Sequence, residues 1–395
     1  MSEARPAGSL QTGDGPDRLG GFEVEAWDGR ARAGRLHLAH GSVHTPAFMA
    51  VGTQGTVKGV SPEELEEMGA EIVLANAYHL YLRPGYELIR DLGGLHRFMN
   101  WRRPLLTDSG GYQVFSLARI NAVSDDGVRF QSHIDGSHHF VTPELVMEVE
   151  TALGADLVMA LDECPPGRCE RDAAAAAMER TQRWLERCLR RFEELSGAAG
   201  RQFLFPVVQG GTFRDLRLES LERARALGDW RGFGVGGLSV GEPKEIMYEV
   251  LADLEPELPQ GSARYLMGVG YPEDLVAAVR LGYDLFDCVA PTRNGRNGTA
   301  FTSSGTVNVK LAAWRDDGAP IEEGCGCWSC RRYSRAYVRH LFVARELLGL
   351  RLLSIHNLYF LTDLMRDART AISAGRLDQW AEAWVRSYST NRETR

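Results

Sequence analysis

The segment Pro104-Leu105-Leu106-Thr107-Asp108-Ser109-Gly110-Gly111-Tyr112-Gln113 decides how this chain is read: a short apolar run breaks into an acid, two glycines and hydrogen-bonding side chains. The same grammar recurs. Residues 157–161 lead into Asp162-Glu163-Cys164, residues 203–208 into Gln209-Gly210-Gly211, and Gly234-Val235 into Gly236-Gly237-Leu238-Ser239-Val240-Gly241-Glu242. Tyr265-Leu266-Met267 leads into Gly268-Val269-Gly270, and Leu285-Phe286 into Asp287. One acid or glycine after an apolar run is ordinarily a cap or a tight turn. Six such clusters in series fit the C-terminal strand ends of an α/β barrel, where barrel enzymes build their sites.

Working outward, candidate strands end near Ala50, Ala75, Leu106, Leu161, Val208, Val235, Met267 and Phe286, with helix signals between them. Ser61-Pro62-Glu63-Glu64 supplies a capping serine, a first-turn proline and a glutamate three residues on. Thr142-Pro143-Glu144, Pro243-Lys244-Glu245 and Pro272-Glu273-Asp274 open further helices, and residues 172–195 form a long amphipathic one. Strands alternating with helices imply a parallel sheet. Eight of them favour closure, and no G-x-G-x-x-G follows the first strand to suggest a dinucleotide fold. The expected fold is therefore a (β/α)8 TIM barrel over residues 21–290 with a zinc-binding appendage over 291–395. Residues 1–20, rich in Gly, Pro, Ser and Asp, read as a disordered leader. In the appendage, residues 299–309 carry β-type residues around a Ser-Ser-Gly turn, and residues 332–348 read as a helix stopped by Gly349.

The mouth suits a planar, polar ligand. Asp108, Asp162 and Gln209 can bond along the edge of a base, and glycines let backbone amides approach closely. Tyr112 and Met267 are candidates to sandwich an aromatic ring. Two carboxylates can divide the cleavage of a glycosidic bond, one attacking the anomeric carbon and the other handling a proton. The residues alone leave open which aspartate has which role.

Cys325-x-Cys327-x2-Cys330, followed by His356, makes a complete tetrahedral set for Zn2+ with no open position, the mark of a structural ion. The other four of the seven cysteines are scattered. An odd count without a signal peptide argues against a disulfide framework and for a reducing, cytoplasmic setting. No apolar run approaches a membrane span. Net charge is −8, yet residues 287–351 hold ten Arg/Lys against six Asp/Glu, a basic patch on an acidic body that suits a selective RNA site.

The strings LTDSGGYQVFSL (106–117), LDECP (161–165), VVQGG (207–211), VGGLSVGEP (235–243), LMGVG (266–270) and FDCVAPTRNGRNG (286–298), together with C-x-C-x2-C and the later His, resemble the tRNA-guanine transglycosylases from about Phe22 to about Ala371. The resemblance implies Asp287 as nucleophile and Asp108 as general acid/base and base contact. It implies Asp162, Gln209, Gly237 and Leu238 as further base contacts, Tyr112 and Met267 as the stacking pair, and Arg293 and Arg296 as contacts to anticodon-loop RNA. It also implies a homodimer and one structural zinc per chain. The implied reaction is exchange of guanine at the wobble position of G-U-N tRNAs for 7-aminomethyl-7-deazaguanine (preQ1), the bacterial form. Val240, where the queuine-using eukaryotic form resembles this sequence but has Gly, and Cys164 point the same way. Leu161 departs from the aromatic residue often found there. The competing readings are a non-catalytic subunit of the same family, which would lack Asp287, a zinc-dependent barrel hydrolase using His79 and His133, and a zinc-ribbon RNA-binding protein without catalysis.

Overall fold

The computed structural model describes residues 19–113, 121–196 and 201–389, so most of the expected leader lies outside the described residues. Parallel strands Ala47–Gly52, Val73–Asn76, Leu105–Asp108, Leu157–Met159, Phe203–Phe205, Val207–Val208, Gly232–Val235, Ala263–Leu266 and Leu285–Asp287 form one sheet. Phe203–Phe205 pairs with Leu157–Met159, and Val207–Val208 pairs with Gly232–Val235. These two are halves of a single stave interrupted at Pro206, which has no N–H to give a ladder. Its carbonyl still accepts from Gly234 N at 2.9 Å. Leu285–Asp287 pairs with Ala47–Gly52, so the ring closes as the expected (β/α)8 barrel.

Side-chain alternation sorts each stave. Met49, Val51, Leu74, Leu106, Leu157, Met159, Phe205, Val207, Tyr265 and Leu285 share one buried cluster, the lumen. Their neighbours Phe48, Ala50, Val73, Leu105, Val158, Val208, Leu266 and Phe286 belong to a second cluster, beneath the helices. Continuing the lumen parity past the last apolar residue brings Asn76, Asp108, Gln209, Met267 and Asp287 to the barrel's C-terminal opening. That is how short apolar strands place their following residues in one site.

The helix signals are realised. Ser61 and Glu64 form a reciprocal capping box for Pro62–Glu67, and Thr142 caps Pro143–Leu153 through Leu145 N at 3.2 Å. Helices Arg171–Ser196, Lys244–Leu254 and Pro272–Arg280 follow as expected. Two antiparallel sheets were not foreseen. Phe22–Asp28, Ala31–Leu38 and Gly41–Thr45 precede the first stave, contribute Phe22, Leu36, Leu38 and Val43 to the lumen cluster, and are anchored by buried Arg32 on Asp284. Asn121–Ser124, Gly127–Gln131 and His138–Val141 form the second, inserted between the third and fourth staves.

Beyond the barrel, Thr299–Thr302 and Gly305–Asn308 make the expected hairpin. The helix expected over 332–348 is instead Arg335–Val343, and Gly349 does not stop it. The chain turns at Arg345, at φ 61°. Gly349 then lies in the first turn of the long helix Leu347–Ser373. A Cβ there would stand 2.9 Å from Leu341 Cβ, so this glycine serves the close approach of two helices rather than a cap. The long helix packs on the first stave and on the sheet before it.

Candidate active site

Asp108 and Asp287 stand at the open end of the lumen. Asp108 Oδ2 accepts from Asn76 Nδ2 at 2.7 Å and from Gln113 Nε2 at 3.2 Å, while Oδ1 is buried without a partner. Burial, reinforced by the like charge of Asp287, pushes the Asp108 carboxyl up to about 8. The shift favours its protonated form near neutral pH. Asp287 is also raised by burial, but Gly268 N–H and the Tyr265 hydroxyl oppose the shift. Both bond its Oδ1 at 2.7 Å, which leaves the other oxygen available to a substrate. The two carboxyls thus differ in their surroundings: one oxygen of Asp108 is buried without a donor, whereas Asp287 is held by two donors.

Next to them lies a polar wall. Gln209 Nε2 donates to Asp162 Oδ2 at 2.7 Å, which fixes the amide and leaves Gln209 Oε1 buried and unpartnered. Ser109 Oγ reaches Asp162 Oδ1 at 3.5 Å. Burial lifts the Asp162 carboxyl to about 6. Gly237, at φ +67°, lies against this amide; a Cβ on it would stand 2.4 Å from Gln209 Oε1. Leu238 is buried beside it. Met267 is half-buried and packs its sulfur against Gly234 and Gly236. Tyr112 sits at the rim, 52% exposed, next to residues 114–120, which are outside the described residues. The loop that carries Val240 is held down by Arg168 Nε on Gly241 O at 2.9 Å and by Glu242, whose carboxylate accepts from Ser239 N and Val240 N.

Arg293 and Arg296 both lie on the short helix Ala290–Arg296, which follows Asp287 directly. Arg293 is exposed, and Arg296 keeps Nη1 buried without a partner. Cys325, Cys327, Cys330 and His356 converge: His356 Nδ1 is 3.8, 3.5 and 3.4 Å from the three sulfurs in turn. Bond lengths of about 2.3 Å to sulfur and about 2.0–2.1 Å to nitrogen give a zinc tetrahedron S···N edges of about 3.6 Å. His356 Nε2 lies 2.7 Å from Phe301 O, the outer bond that leaves Nδ1 free to ligate. The group fits a closed four-ligand metal ion. Among the described residues one other cluster has metal-ligand character, His40, His96 and Asp156, whose two rings stack 3.5 Å apart. His79 and His133, the hydrolase candidates, belong to neither cluster.

Sequence reasoning missed three residues that organise the site. Asn76 follows an apolar run as the others do, and the same rule applied to Ala75 would have found it. Tyr265 reads as an ordinary core residue until lumen parity is known. Arg217, whose guanidinium donates to the carbonyls of Gly236 and Gly237, carries no sequence signal.

The chain matches the family model described as queuine tRNA-ribosyltransferase over residues 28–390. It is 53% identical over 360 residues to a queuine tRNA-ribosyltransferase of Desulforamulus reducens, covering 91% of this chain and 96% of that protein. It is 54% identical over 355 residues to one of Symbiobacterium thermophilum, covering 90% and 88%, and 53% identical over 376 residues to one of Syntrophobacter fumaroxidans, covering 95% and 98%. Barrel, paired carboxyls, metal-ligand set and overall similarity agree: this chain belongs to the queuine tRNA-ribosyltransferase family.

Proposed function

We propose that the protein is a tRNA-guanine transglycosylase of queuosine synthesis that replaces guanine at the wobble position of G-U-N tRNAs with preQ1. The observation that carries this reading is the unequal pair Asp108 and Asp287. An Asp287 oxygen attacks the anomeric carbon of the nucleotide, the bond to guanine breaks, and Asp108 gives its proton to the departing base. The incoming base returns a proton to Asp108 and displaces Asp287 from the same carbon. Proton and bond counts balance over the cycle, so no further reactant is required.

Base recognition follows from the wall. Gln209 Oε1, without a partner inside the protein, and the Asp162 carboxyl are acceptors for the N–H groups of a guanine edge, and Gly237 and Leu238 offer backbone groups beside them. Tyr112 and Met267 cover the ring. Arg293 and Arg296 contact anticodon-loop RNA next to the nucleophile. Zinc in the Cys325, Cys327, Cys330 and His356 set is structural, one ion per chain.

Choice of preQ1 over queuine rests on space. Val240 packs beside Gly167, where an added Cβ would stand 3.0 Å from Val240 Cγ2, and Cys164 lies on the same preceding loop. A bulky substituent on the aminomethyl nitrogen would overpack this corner. The names of the relatives specify queuine, so competition between the two bases is informative. Homodimerisation accords with the apolar side chains left open around the appendage, Tyr337, Val343 and Leu347 at 39, 60 and 80% exposure. The test of the reaction is a denaturation-resistant enzyme–tRNA adduct, expected for the wild type and absent in Asp287→Asn. Near wild-type base exchange by Asp287→Asn would overturn the assignment.

A further inference from the structure

Arg217, in the first turn of helix Arg214–Leu227, is 1% exposed and has no ion pair among the described residues. Its guanidinium is satisfied by backbone carbonyls: Nε donates to Gly211 O at 2.7 Å, Nη1 to Val208 O at 3.0 Å, and Nη2 to Gly236 O at 2.9 Å and Gly237 O at 3.4 Å. Those carbonyls belong to the two loops that carry Gln209 and Leu238. Gly210 lets the first loop pass over the arginine, since a Cβ there would stand 2.8 Å from Arg217 N. A buried cation without a counter-ion is costly. A hydrophobic residue at this point would leave the four carbonyls without these donors.

The role follows from peptide geometry. In a planar trans peptide the carbonyl and the following N–H point in opposite directions. Drawing the Gly236 and Gly237 carbonyls onto Arg217 turns the N–H groups of Gly237 and Leu238 the other way. The Gln209 amide lies against the same glycine. The wall beside Gln209 is thereby a row of donors.

We propose that Arg217 is a positioning residue that locks the 236–237 and 237–238 peptides with their N–H groups toward the base, so that the pocket selects a purine with an oxygen rather than an amino group at position 6. This rests on the reading of the site as a guanine-exchange pocket. Without the guanidinium fork either peptide can flip and offer a carbonyl, which accepts from an amino group instead.

The experiment measures inhibition of exchange by guanine and by 2,6-diaminopurine, which differ at position 6 and in the hydrogen on N1, for the wild type, Arg217→Lys and Arg217→Gln; the N1 difference faces Asp162 and is common to all three proteins. Melting temperature and tRNA affinity are followed in parallel. In both variants the preference for guanine is expected to fall at least tenfold, and KM for the free base to rise more than KM for tRNA. An unchanged preference in folded variants would overturn the proposal, as would failure of both to fold, which would assign Arg217 to stability alone. A wild type that neither exchanges nor binds guanine would instead refute the exchange reading.

Discussion

Tyr265 reaches from its own stave to the neighbouring one and donates its hydroxyl hydrogen to Asp287 Oδ1 at 2.7 Å, from a side chain only 1% exposed. The phenol cannot rotate away, and the carboxylate it holds is the proposed nucleophile. Tyr265→Phe keeps the packing and removes the bond. A hydrogen bond to a charged group contributes about 1.5–3 kcal/mol, so exchange should slow by roughly ten- to a hundredfold. The acidic limb of the pH–rate profile should also move up, because the hydroxyl favours the ionised carboxylate. Unaltered kinetics would show that Gly268 N–H alone orients Asp287.

Asp108 makes stability depend on pH in a definite sense. Its folded value of about 8 lies above the ordinary 3.8. Its contribution is therefore fully present below about pH 4 and is lost as pH rises through 8, at a slope of at most about 1.4 kcal/mol per pH unit. Asp162, raised to about 6, and buried Glu150, raised well above its ordinary value, act in the same sense, so over the window of pH 6–8 it is the difference from Asp108→Asn that isolates Asp108. Urea midpoints measured across that window should fall for the wild type relative to Asp108→Asn. Parallel curves would mean that Asp108 is ionised throughout.

The metal-ligand set should be coupled to the hairpin beside it, because His356 bonds Phe301 O as well as facing the three sulfurs. Metal analysis should find about one zinc per chain, and close to none in His356→Ala. Chelation should expose Thr299–Thr302 and Gly305–Asn308 to amide exchange ahead of the barrel, since building a metal site and folding its ligands are one process. A folded, metal-free protein with full activity and a protected hairpin would contradict a structural role.

Arg293→Ala and Arg296→Ala should weaken tRNA binding while leaving the affinity for free base within about twofold. Each lost phosphate contact should lower the slope of log affinity against log salt by about one. Arg293 is the more exposed of the two and carries the larger expected effect on that slope. Equal tRNA affinity in the double variant would move the RNA surface elsewhere.

Val240→Gly should raise uptake of queuine relative to preQ1 when the two bases compete for one tRNA. Relief of overpacking contributes about 1–3 kcal/mol, or roughly five- to a hundredfold. A wild type that accepts both bases equally would remove the steric argument.

Much of the site was legible because its residues are local punctuation. Apolar runs ending in Asp108, Asp162, Gln209 and Asp287 announce strand ends, and Cys325, Cys327 and Cys330 announce an ion through their spacing alone. The eight staves and the capped helices follow from short-range preferences that sequence records directly. What only the tertiary structure decided depends on ring closure and parity. The strand Leu285–Asp287 lies beside Ala47–Gly52, more than two hundred residues away, and that closure sets one face of every stave inward. Only then do Asn76 and Tyr265 become partners of the two carboxyls, and only then does Arg217 find four carbonyls. Gly349 was misread for the same reason: a glycine admits both a left-handed cap and a close helix contact, and the presence of Leu341 against it is a fact of packing. Hydrogen bonds between side chains brought together by closure leave no periodic trace along the chain, whereas burial and capping do.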